Sequence, residues 1–397
     1  MLVDGGEALP RLEADLAGAR DSILLAGWAF SPDFRLSRGG PTLRELLAAS
    51  PAEVRVLAWA GAPLPLFTPS RAAVRDARDR LTRGTRIRMA LDARERPLHC
   101  HHEKVAVVDG RVAYVGGIDL TTLGGDRLDT SDHPARGSIG WHDAAARVEG
   151  PLVADVHDHV ALRWHEVTGE RLDPPRAAET AGTLTAQFVR TVPNGVYDAL
   201  PDGDYRILEA YVRALRSAER LVYLESQFLW APELVEILAE KLRRPPSDEF
   251  AVVLLLPARP NNGADDTRGQ LGVLVEADRE RRLLACSLWQ PGGGEQVYVH
   301  AKIGIVDDRL LLLGSANLNE HSLYNDTEAC IVVQDEPLAR TTRKRLWQEH
   351  LGADGASFDS WRERAEDDAY ERLRLLPHVS RRTRRFLGPL NGLLVDG

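Results

Sequence analysis

One motif of polar residues occurs twice in this chain of 397 residues, and the repeat constrains the fold more than any other feature. In each copy a histidine is followed two positions later by a lysine, then by an aspartate five positions further on, and then by a glycine turn. The copies comprise His102, Lys104 and Asp109, and His300, Lys302 and Asp307, at one offset (300 − 102 = 198). Chance does not repeat such a set at one offset, so we infer two copies of one structural unit, each supplying half of a site.

Apolar runs surround the second copy of the motif. The runs Val299 to Val306 and Leu310 to Leu313 are separated by an Asp-Asp turn, and we predict two paired buried strands there. Residues two apart on a strand point to the same face, so His300 and Lys302 should lie side by side. A buried imidazole and ammonium would lose their hydration without a partner. The pattern therefore predicts that they face an anionic group.

Predicted helices and strands alternate along both halves of the sequence, which favours an α/β fold. The predicted helices are Leu9–Ala19, Leu43–Ala49, Ser70–Arg83, Pro151–Val167, Tyr205–Ser217, Pro232–Leu242, a helix ending near Arg282, and Leu338–His350. The predicted strands also include Ile23–Phe30, Glu53–Trp59, Thr85–Leu91, Ala144–Glu149, Leu221–Glu225, Phe250–Leu256 and Glu328–Gln334. We expect two halves, residues 1–170 and 187–352, with a Pro/Ala-rich linker at 171–186 and a helical tail at 353–397.

The net charge of −9 bounds the partners that the surface can attract. A protein that binds a nucleic-acid backbone usually carries a basic surface, so nucleic acid is not expected as a partner. Cys100, Cys286 and Cys330 are widely spaced, which indicates neither a disulfide framework nor a zinc ribbon. The N-terminus lacks the pattern of a signal peptide, and the apolar run Ile23–Phe30 is too short to cross a bilayer. We expect a cytoplasmic protein, with any membrane contact being peripheral.

The repeated residues suit a site for a phosphodiester. The two motif lysines would neutralise the non-bridging oxygens without a metal or other cofactor, and Ser315 and Asn317 are expected to donate hydrogen bonds to the same oxygens. One imidazole would attack phosphorus while the other protonates the leaving alcohol. The motif aspartates are expected to orient or tune an imidazole, although a hairpin turn favours aspartate in any case. His99-Cys100-His101 could suggest a metal cluster, but His101 should face away from His102 and no second ligand pair is visible.

Two H-x-K-x-x-x-x-D motifs, each followed by a Gly-Gly or Gly-Ser turn, resemble those of the phospholipase D superfamily. The resemblance covers most of the chain, with 299–319 close to the family's second motif and 102–120 similar to its first. It implies two pseudo-symmetric α/β/α-sandwich halves with the active site at their interface, and a covalent phosphohistidine that water or an alcohol resolves. The usual roles in the family make His102 the nucleophile and His300 the general acid.

The turn after the first motif departs from the turn after the second. Gly117 and Asp119 stand where the second half has Ser315 and Asn317, which removes a hydroxyl and an amide from that side of the phosphate. This variant looks like the first motif of lipid-acting members. The resemblance adds four expected substrate-binding residues, Trp141, His142, Glu225 and Gln227.

The superfamily includes phosphatidyl hydrolases and transferases, cardiolipin synthases, nucleases and inactive members. The variant turn, Trp141-His142-Asp143 and Gly27-Trp28 favour a phospholipid substrate, whereas the acidic charge and the low aromatic content count against a nuclease. A cardiolipin synthase usually adds N-terminal membrane helices that are not seen here. We expect an enzyme of the phospholipase D type that cleaves or transfers a phosphatidyl group, with water or an alcohol as acceptor.

Two alternatives remain open at this point. A nuclease or other metal-independent phosphodiesterase would be favoured by a basic groove over the site, and a lipid-binding module with an idle site by failure to form a phosphoenzyme. The basic cluster Arg381–Arg385 is either a solvated helix face or a contact to anionic headgroups. The sequence fixes neither the headgroup nor the oligomeric state.

Overall fold

The chain forms two β-sheets, each covered by helices on its outer face. The computed structural model describes residues 1–63, 68–124, 126–135, 139–175, 179–261, 263–292, 294–352 and 357–378. The strands are β1 (Leu2–Val3), β2 (Ser22–Gly27), β3 (Glu53–Trp59), β4 (Arg88–Asp92), β5 (Lys104–Val108), β6 (Val112–Gly116), β7 (Gly140–His142), β8 (Ala144–Glu149), β9 (Ala186–Val192), β10 (Asp204–Tyr205), β11 (Leu221–Glu225), β12 (Ala251–Leu255), β13 (Leu283–Trp289), β14 (Gln296–Val299), β15 (Ile303–Val306), β16 (Leu310–Gly314), β17 (Glu328–Gln334) and β18 (Leu373–Leu375). The helices are α1 (Asp4–Gly18), α2 (Leu43–Ala49), α3 (Arg71–Thr82), α4 (Leu152–Thr168), α5 (Arg206–Ser217), α6 (Pro232–Arg243), α7 (Ala264–Ala277), α8 (Glu336–Leu351), α9 (Phe358–Glu366) and a π-helix at His321–Asn325.

Both halves of the chain use one strand order. The first sheet has seven strands in the order β1-β8-β6-β5-β2-β3-β4. The second sheet has eleven strands and contains the run β17-β16-β15-β11-β12-β13, which matches β8-β6-β5-β2-β3-β4 strand for strand. In each sheet three parallel strands adjoin the hairpin that follows the polar motif. The predicted α/β class is confirmed, and the topology contains the duplication that the sequence indicated.

Three apolar cores stabilise this arrangement of layers. Helices α1 and α2 pack on the outer face of the first sheet, while α5, α6 and α7 cover the outer face of the second. The inner faces of the two sheets share a core that includes Val107 and Ile305, together with Trp164 of α4 and Trp347 of α8. Because the sheets pack against each other, the hairpins that carry the two motifs lie on opposite sides of one interface. Within the described residues, no helix is long and apolar enough to cross a membrane.

The strand predicted from Val299 to Val306 is interrupted at the motif itself. It consists of β14 and β15, and His300, Ala301 and Lys302 connect them. The backbone N–H groups of His300 and Ala301 donate to the carbonyl oxygen of His142, at 2.8 and 3.0 Å, instead of continuing the ladder. The prediction of a continuous strand is therefore wrong, because a segment from the other half captures these amides.

Two other segments also differ from the sequence prediction. The helix expected to reach Arg282 ends at Ala277, where the Asp278 carboxylate accepts hydrogen bonds from the N–H groups of Arg282 and Leu283 and starts the unpredicted strand β13. The tail is not entirely helical, because β18 follows α9 and pairs with β13. The basic cluster at 381–385 and residues 125, 136 and 137 of the long polar loop lie outside the described residues.

Strand β7 belongs by sequence to the first half but pairs in the second sheet. It runs parallel to β14, with Trp141 opposite Tyr298 and His142 opposite Val299. The strand that follows, β8, starts two residues later and pairs with β6 in the first sheet. The chain therefore passes from one sheet to the other at Asp143, directly beside the second motif.

Candidate active site

Both motif histidines are anchored to the opposite half through their backbone. The N–H of His102 donates to the carbonyl oxygen of Thr327 at 2.9 Å, and the N–H of His300 donates to that of His142 at 2.8 Å. Neither histidine lies within a strand, since His102 precedes β5 by two residues and His300 lies in the short connection between β14 and β15. The two halves thus hold each other by the same pair of contacts.

The residue after each anchoring carbonyl supplies a carboxylate to the imidazole. His102 Nδ1 lies 2.9 Å from Glu328 Oε1, and His300 Nδ1 lies 2.7 Å from Asp143 Oδ2. All four side chains are buried. Each imidazole is therefore oriented by the half that does not contain it, with Nε2 left for the space between the halves.

Glu328 accepts hydrogen bonds from the side chains of its own half. Ser322 Oγ donates to it at 2.6 Å, and the Ser315 hydroxyl donates to its other oxygen. A carboxylate that already accepts hydrogen bonds from two hydroxyl groups also accepts a hydrogen bond from the Nδ1–H of His102. The lone pair of His102 then lies on Nε2, as a nucleophile requires.

Asp143 lies in a different electrostatic environment. Burial raises the pKa of Asp143 to about 6, although Lys302 and Arg127 oppose this shift. Burial also lowers the pKa of His300 well below its usual value, and Lys302 and Arg127 lower it further. In this pair the proton belongs on Asp143 below about pH 6. The imidazole then accepts at Nδ1 and carries its own proton on Nε2.

The two histidines line one cavity of about 500 Å³. Its other lining residues include Trp28, Asp119, Leu123, Arg127, Ile139, Trp141, Asn261 and Tyr298. The Arg127 guanidinium lies 3.6 Å from the ring centre of Trp141 and 3.9 Å from Asp119, and Nε and Nη1 make no hydrogen bond to the described residues. Buried guanidinium N–H groups without an acceptor suit a phosphate or carboxylate ligand. Sequence reasoning missed Arg127, which lies in the polar loop after β6.

The motif lysines are brought to the same place as the histidines. Each Nζ donates to the carbonyl oxygen of its own motif histidine, and Lys104 Nζ also lies 3.5 Å from Asp119. Both lysines lower the pKa of His300, so their charge reaches the imidazole. Two ammonium groups and the Arg127 guanidinium thus act on His300 together, an arrangement that favours an anionic ligand there.

The motif aspartates lie at the far ends of their strands, and the expectation that they orient an imidazole is wrong. Asp109 accepts hydrogen bonds from the backbone N–H groups of residues 20, 21 and 22, and Asp307 accepts those of residues 219, 220 and 221. Both have positive φ, 52° and 55°, a turn conformation that aspartate tolerates. Their role is to fix the start of the neighbouring parallel strand.

The turns after the motifs position the carboxylates that hold the histidines. Ser315 donates its hydroxyl proton to Glu328, so this proton does not reach a phosphate as predicted. Asn317 accepts a hydrogen bond from the backbone N–H of Gln227 at 3.3 Å. In the first half, a Cβ at Gly117 would lie 2.1 Å from Asp143 Oδ1. Glycine replaces serine there because Asp143 occupies the space.

The remaining predicted residues differ in whether they contact the cavity and its wall or lie buried behind them. Trp141 contacts His300 with ring centres 4.5 Å apart, and Gln227 donates to Tyr298 of the cavity wall at 2.8 Å. His142 and Glu225 form a buried pair, with Nε2 2.8 Å from Oε2, within a cluster of histidines and carboxylates. The imidazole partners Asp143 and Glu328 were not in the predicted site, although each stands beside residues singled out in the sequence.

Comparison with known proteins identifies relatives of this fold and motif pair. Residues 211–349 match the family model described as cardiolipin synthase, PLD-like domain. Phospholipase D A of Dictyostelium discoideum is 25% identical over 85% of this chain, and phospholipase D alpha 4 of Arabidopsis thaliana is 23% identical over 85%. The chain spans 34% and 62% of the lengths of these two relatives.

A solved structure shares the fold over most of both chains. Phosphatidylserine synthase of Haemophilus influenzae Rd KW20 superposes with a TM-score of 0.57 at 12% identity, covering 87% of this chain and 85% of that one. The repeated motifs, the duplicated topology and the sequence relatives agree with this likeness of fold. In sequence the chain is similar to enzymes named phospholipase D, and in fold it is similar to a phosphatidylserine synthase.

Proposed function

We propose that this chain cleaves or transfers the phosphatidyl group of a phospholipid through a covalent phosphohistidine. The observation that carries this proposal is the pair of buried imidazoles at one cavity, each held at Nδ1 by a carboxylate from the opposite half. The relatives named as phospholipase D support the reaction class. We also propose that residues 1–170 and 187–352 are the two superfamily halves, with 171–186 as linker and 353–397 as tail.

In the first step His102 Nε2 attacks phosphorus while the bond to the leaving alcohol breaks. His102 keeps its Nδ1 proton in a hydrogen bond to Glu328, and this carboxylate stabilises the positive charge that develops on the ring. Lys104, Lys302 and Arg127 would neutralise the non-bridging oxygens, which gain charge in the transition state. The products of this step are a phosphohistidine and an alkoxide that needs a proton.

The pair formed by Asp143 and His300 supplies that proton. His300 gives its Nε2 proton to the leaving oxygen and receives the Asp143 proton at Nδ1, so the ring stays neutral and the carboxylate becomes ionised. In the second step the pair takes a proton from water or an alcohol, which attacks phosphorus and releases His102. This assignment agrees with the roles that the family resemblance implies.

The walls of the cavity favour a lipid over a nucleic acid. Trp28, Leu123, Ile139 and Trp141 present apolar and aromatic surface beside the histidines. Such walls suit a glycerophospholipid, whereas a polynucleotide would require cations extending along a groove. We propose that contact with the membrane is peripheral and that the protein acts from the cytoplasm.

Headgroup release from phospholipid micelles tests the proposal. We expect choline, ethanolamine or serine to be released by the full chain and Lys302→Ala to abolish the release. Hydrolysis of bis(p-nitrophenyl) phosphate and single-stranded DNA, measured in parallel, separates the alternatives. Activity on these two substrates alone would replace the lipid assignment with a nuclease or general phosphodiesterase.

Trapping of the intermediate tests the roles of the histidines. We expect His300→Ala to accumulate phosphoenzyme on His102 from an activated diester, while His157→Ala, a substitution on helix α4, turns over normally. Labelling of His300 in a His102→Ala variant would reverse the roles. Absence of any phosphoenzyme and of turnover with all diesters would favour a lipid-binding module.

A further inference from the structure

A second group of titratable side chains lies buried directly behind the active site. It consists of Asp4, His133, His142 and Glu349, and donor atoms from all four lie within 4.8 Å of one another. These residues, which we call the His-carboxylate cluster, come from α1, the loop after β6, β7 and α8. They are between 0 and 9% exposed. The mechanism proposed above uses none of their side chains.

The donor atoms of the cluster are spaced as ligands around one small cation. His142 Nδ1 lies 2.9 Å from Asp4 Oδ1 and 3.1 Å from Glu349 Oε1. His133 Nε2 lies 3.3 Å from the same Glu349 oxygen and 3.9 Å from Asp4 Oδ2. Ligands bound tetrahedrally to zinc at about 2.0–2.2 Å are separated by about 3.3–3.6 Å. The four distances bracket that range.

Both histidines are oriented toward the centre of the cluster by a carboxylate on their other ring nitrogen. His133 Nδ1 lies 3.1 Å from Asp129 Oδ2, and His142 Nε2 lies 2.8 Å from Glu225 Oε2. An imidazole that binds a metal usually donates its other N–H to a carboxylate or carbonyl in this way. The second contact of each ring therefore selects the tautomer whose lone pair points into the cluster.

Several donor atoms of the cluster are buried without a hydrogen bond. Among the described residues, Asp4 Oδ2, His133 Nε2 and both carboxylate oxygens of Glu349 make no hydrogen bond of suitable geometry, although Glu349 Oε1 lies within ion-pair distance of both imidazoles. Burial of unpaired carboxylate oxygens is costly, and native structures rarely leave several together. A single cation at the centre would give the donor atoms that face it the polar partner that they lack.

We propose that Asp4, His133, His142 and Glu349 bind one structural zinc ion. Two imidazole nitrogens and two carboxylate oxygens form a closed four-coordinate set, which is typical of a structural rather than a catalytic site. The ion would tie α1, the polar loop, β7 and α8 together. It would thereby fix the His142 carbonyl that anchors His300, and the adjacent Asp143.

Metal content of the full chain, purified without chelator or polyhistidine tag, tests the site directly. We expect one equivalent of zinc per chain, and less than about a tenth of that in His133→Gln and Glu349→Gln. Asp129→Asn removes only the orienting carboxylate, so it should weaken zinc binding about 10- to 100-fold. The matched control is His99→Gln, in the separate group formed by His99, His321 and Asp326, and it should retain the ion.

Cobalt replacement and thermal unfolding provide readouts that do not depend on activity. Protein treated with a chelator and then loaded with Co²⁺ should show the visible bands of a tetrahedral site, and zinc should raise its Tm. Equal zinc in the wild type and His133→Gln, or loss only in His99→Gln, would overturn the proposal. So would a wild-type chain that contains no metal and neither binds added zinc or cobalt nor gains thermal stability from them. The cluster would then be a network of imidazolium and carboxylate groups.

Discussion

Asp143→Asn should slow the cleavage of substrates whose leaving group needs a proton much more than the cleavage of substrates whose leaving group does not. The amide keeps the size of the side chain but cannot supply a proton to His300 Nδ1, now 2.7 Å from the carboxylate. Loss of general acid catalysis typically costs about 10²- to 10⁴-fold in rate, or about 2.7–5.4 kcal/mol of transition-state stabilisation. We expect that loss for release of choline or ethanolamine. For a p-nitrophenyl ester, whose phenolate leaves without a proton, we expect less than about a tenfold change.

The pH profile gives this prediction a second, independent readout. The protonated form of Asp143 is the active one and its pKa is raised to about 6, so kcat/KM for headgroup release should fall as pH rises through that value. The same fall should be absent for the nitrophenyl ester. Asp158→Asn, an exposed carboxylate beside His157, serves as the matched control. Two results would refute Asp143 as the proton donor. One is an equal loss of rate on the phospholipid and the nitrophenyl ester in Asp143→Asn, and the other is a kcat/KM for the phospholipid that still falls with rising pH in that variant.

Four further substitutions test other parts of the structure. Asp307→Ala leaves three backbone N–H groups without their acceptor and should lower the free energy of unfolding by about 3 kcal/mol. Asp109→Ala should lower it by less, because the amides that Asp109 accepts from are more exposed. Urea unfolding measures both losses, and a lower kcat per folded molecule would contradict a purely structural role. Gly117→Ser should displace Asp143 and therefore slow headgroup release more than nitrophenyl ester cleavage, as in Asp143→Asn. An equal loss of rate on both substrates would contradict this prediction. Arg127→Gln removes a cation beside His300 and should raise the pKa of that imidazole, measurable by NMR titration; an unchanged pKa would show that the guanidinium charge does not reach the ring.

The sequence predicted the parts of the site that depend on repetition. Two copies of one motif at a constant offset indicated a duplicated α/β unit and a shared site, because packing alone does not produce paired imidazoles and ammoniums. The partners of those imidazoles could not be predicted in this way. Asp143 reaches His300 only because the chain crosses between sheets at β7, and that crossing depends on tertiary contacts.

The error at the motif aspartates has a local cause. Asp109 and Asp307 follow their histidines at a fixed spacing, which made a catalytic role attractive. Strands of five residues (β5) and four residues (β15), however, carry them about 17 and about 13 Å from the strand starts, to turns where aspartate is favoured for its backbone contacts. Conversely, the interrupted strand at His300 reads in the sequence as one apolar run, since competition from the His142 carbonyl is invisible there.

The exchange of carboxylates between halves governs when the chemistry becomes available. During synthesis, the first half alone would hold His102 and Lys104 without Glu328, so its imidazole would have neither a fixed tautomer nor a fixed direction. His300 is synthesised after Asp143, but its imidazole is not oriented until the two halves dock and bring the pair together. If His102 is the nucleophile, as proposed, it is therefore held for attack on phosphate only in the assembled chain. Chains that are still being synthesised, or whose two halves have not docked correctly, should not react with the phosphodiesters that surround them in a cell.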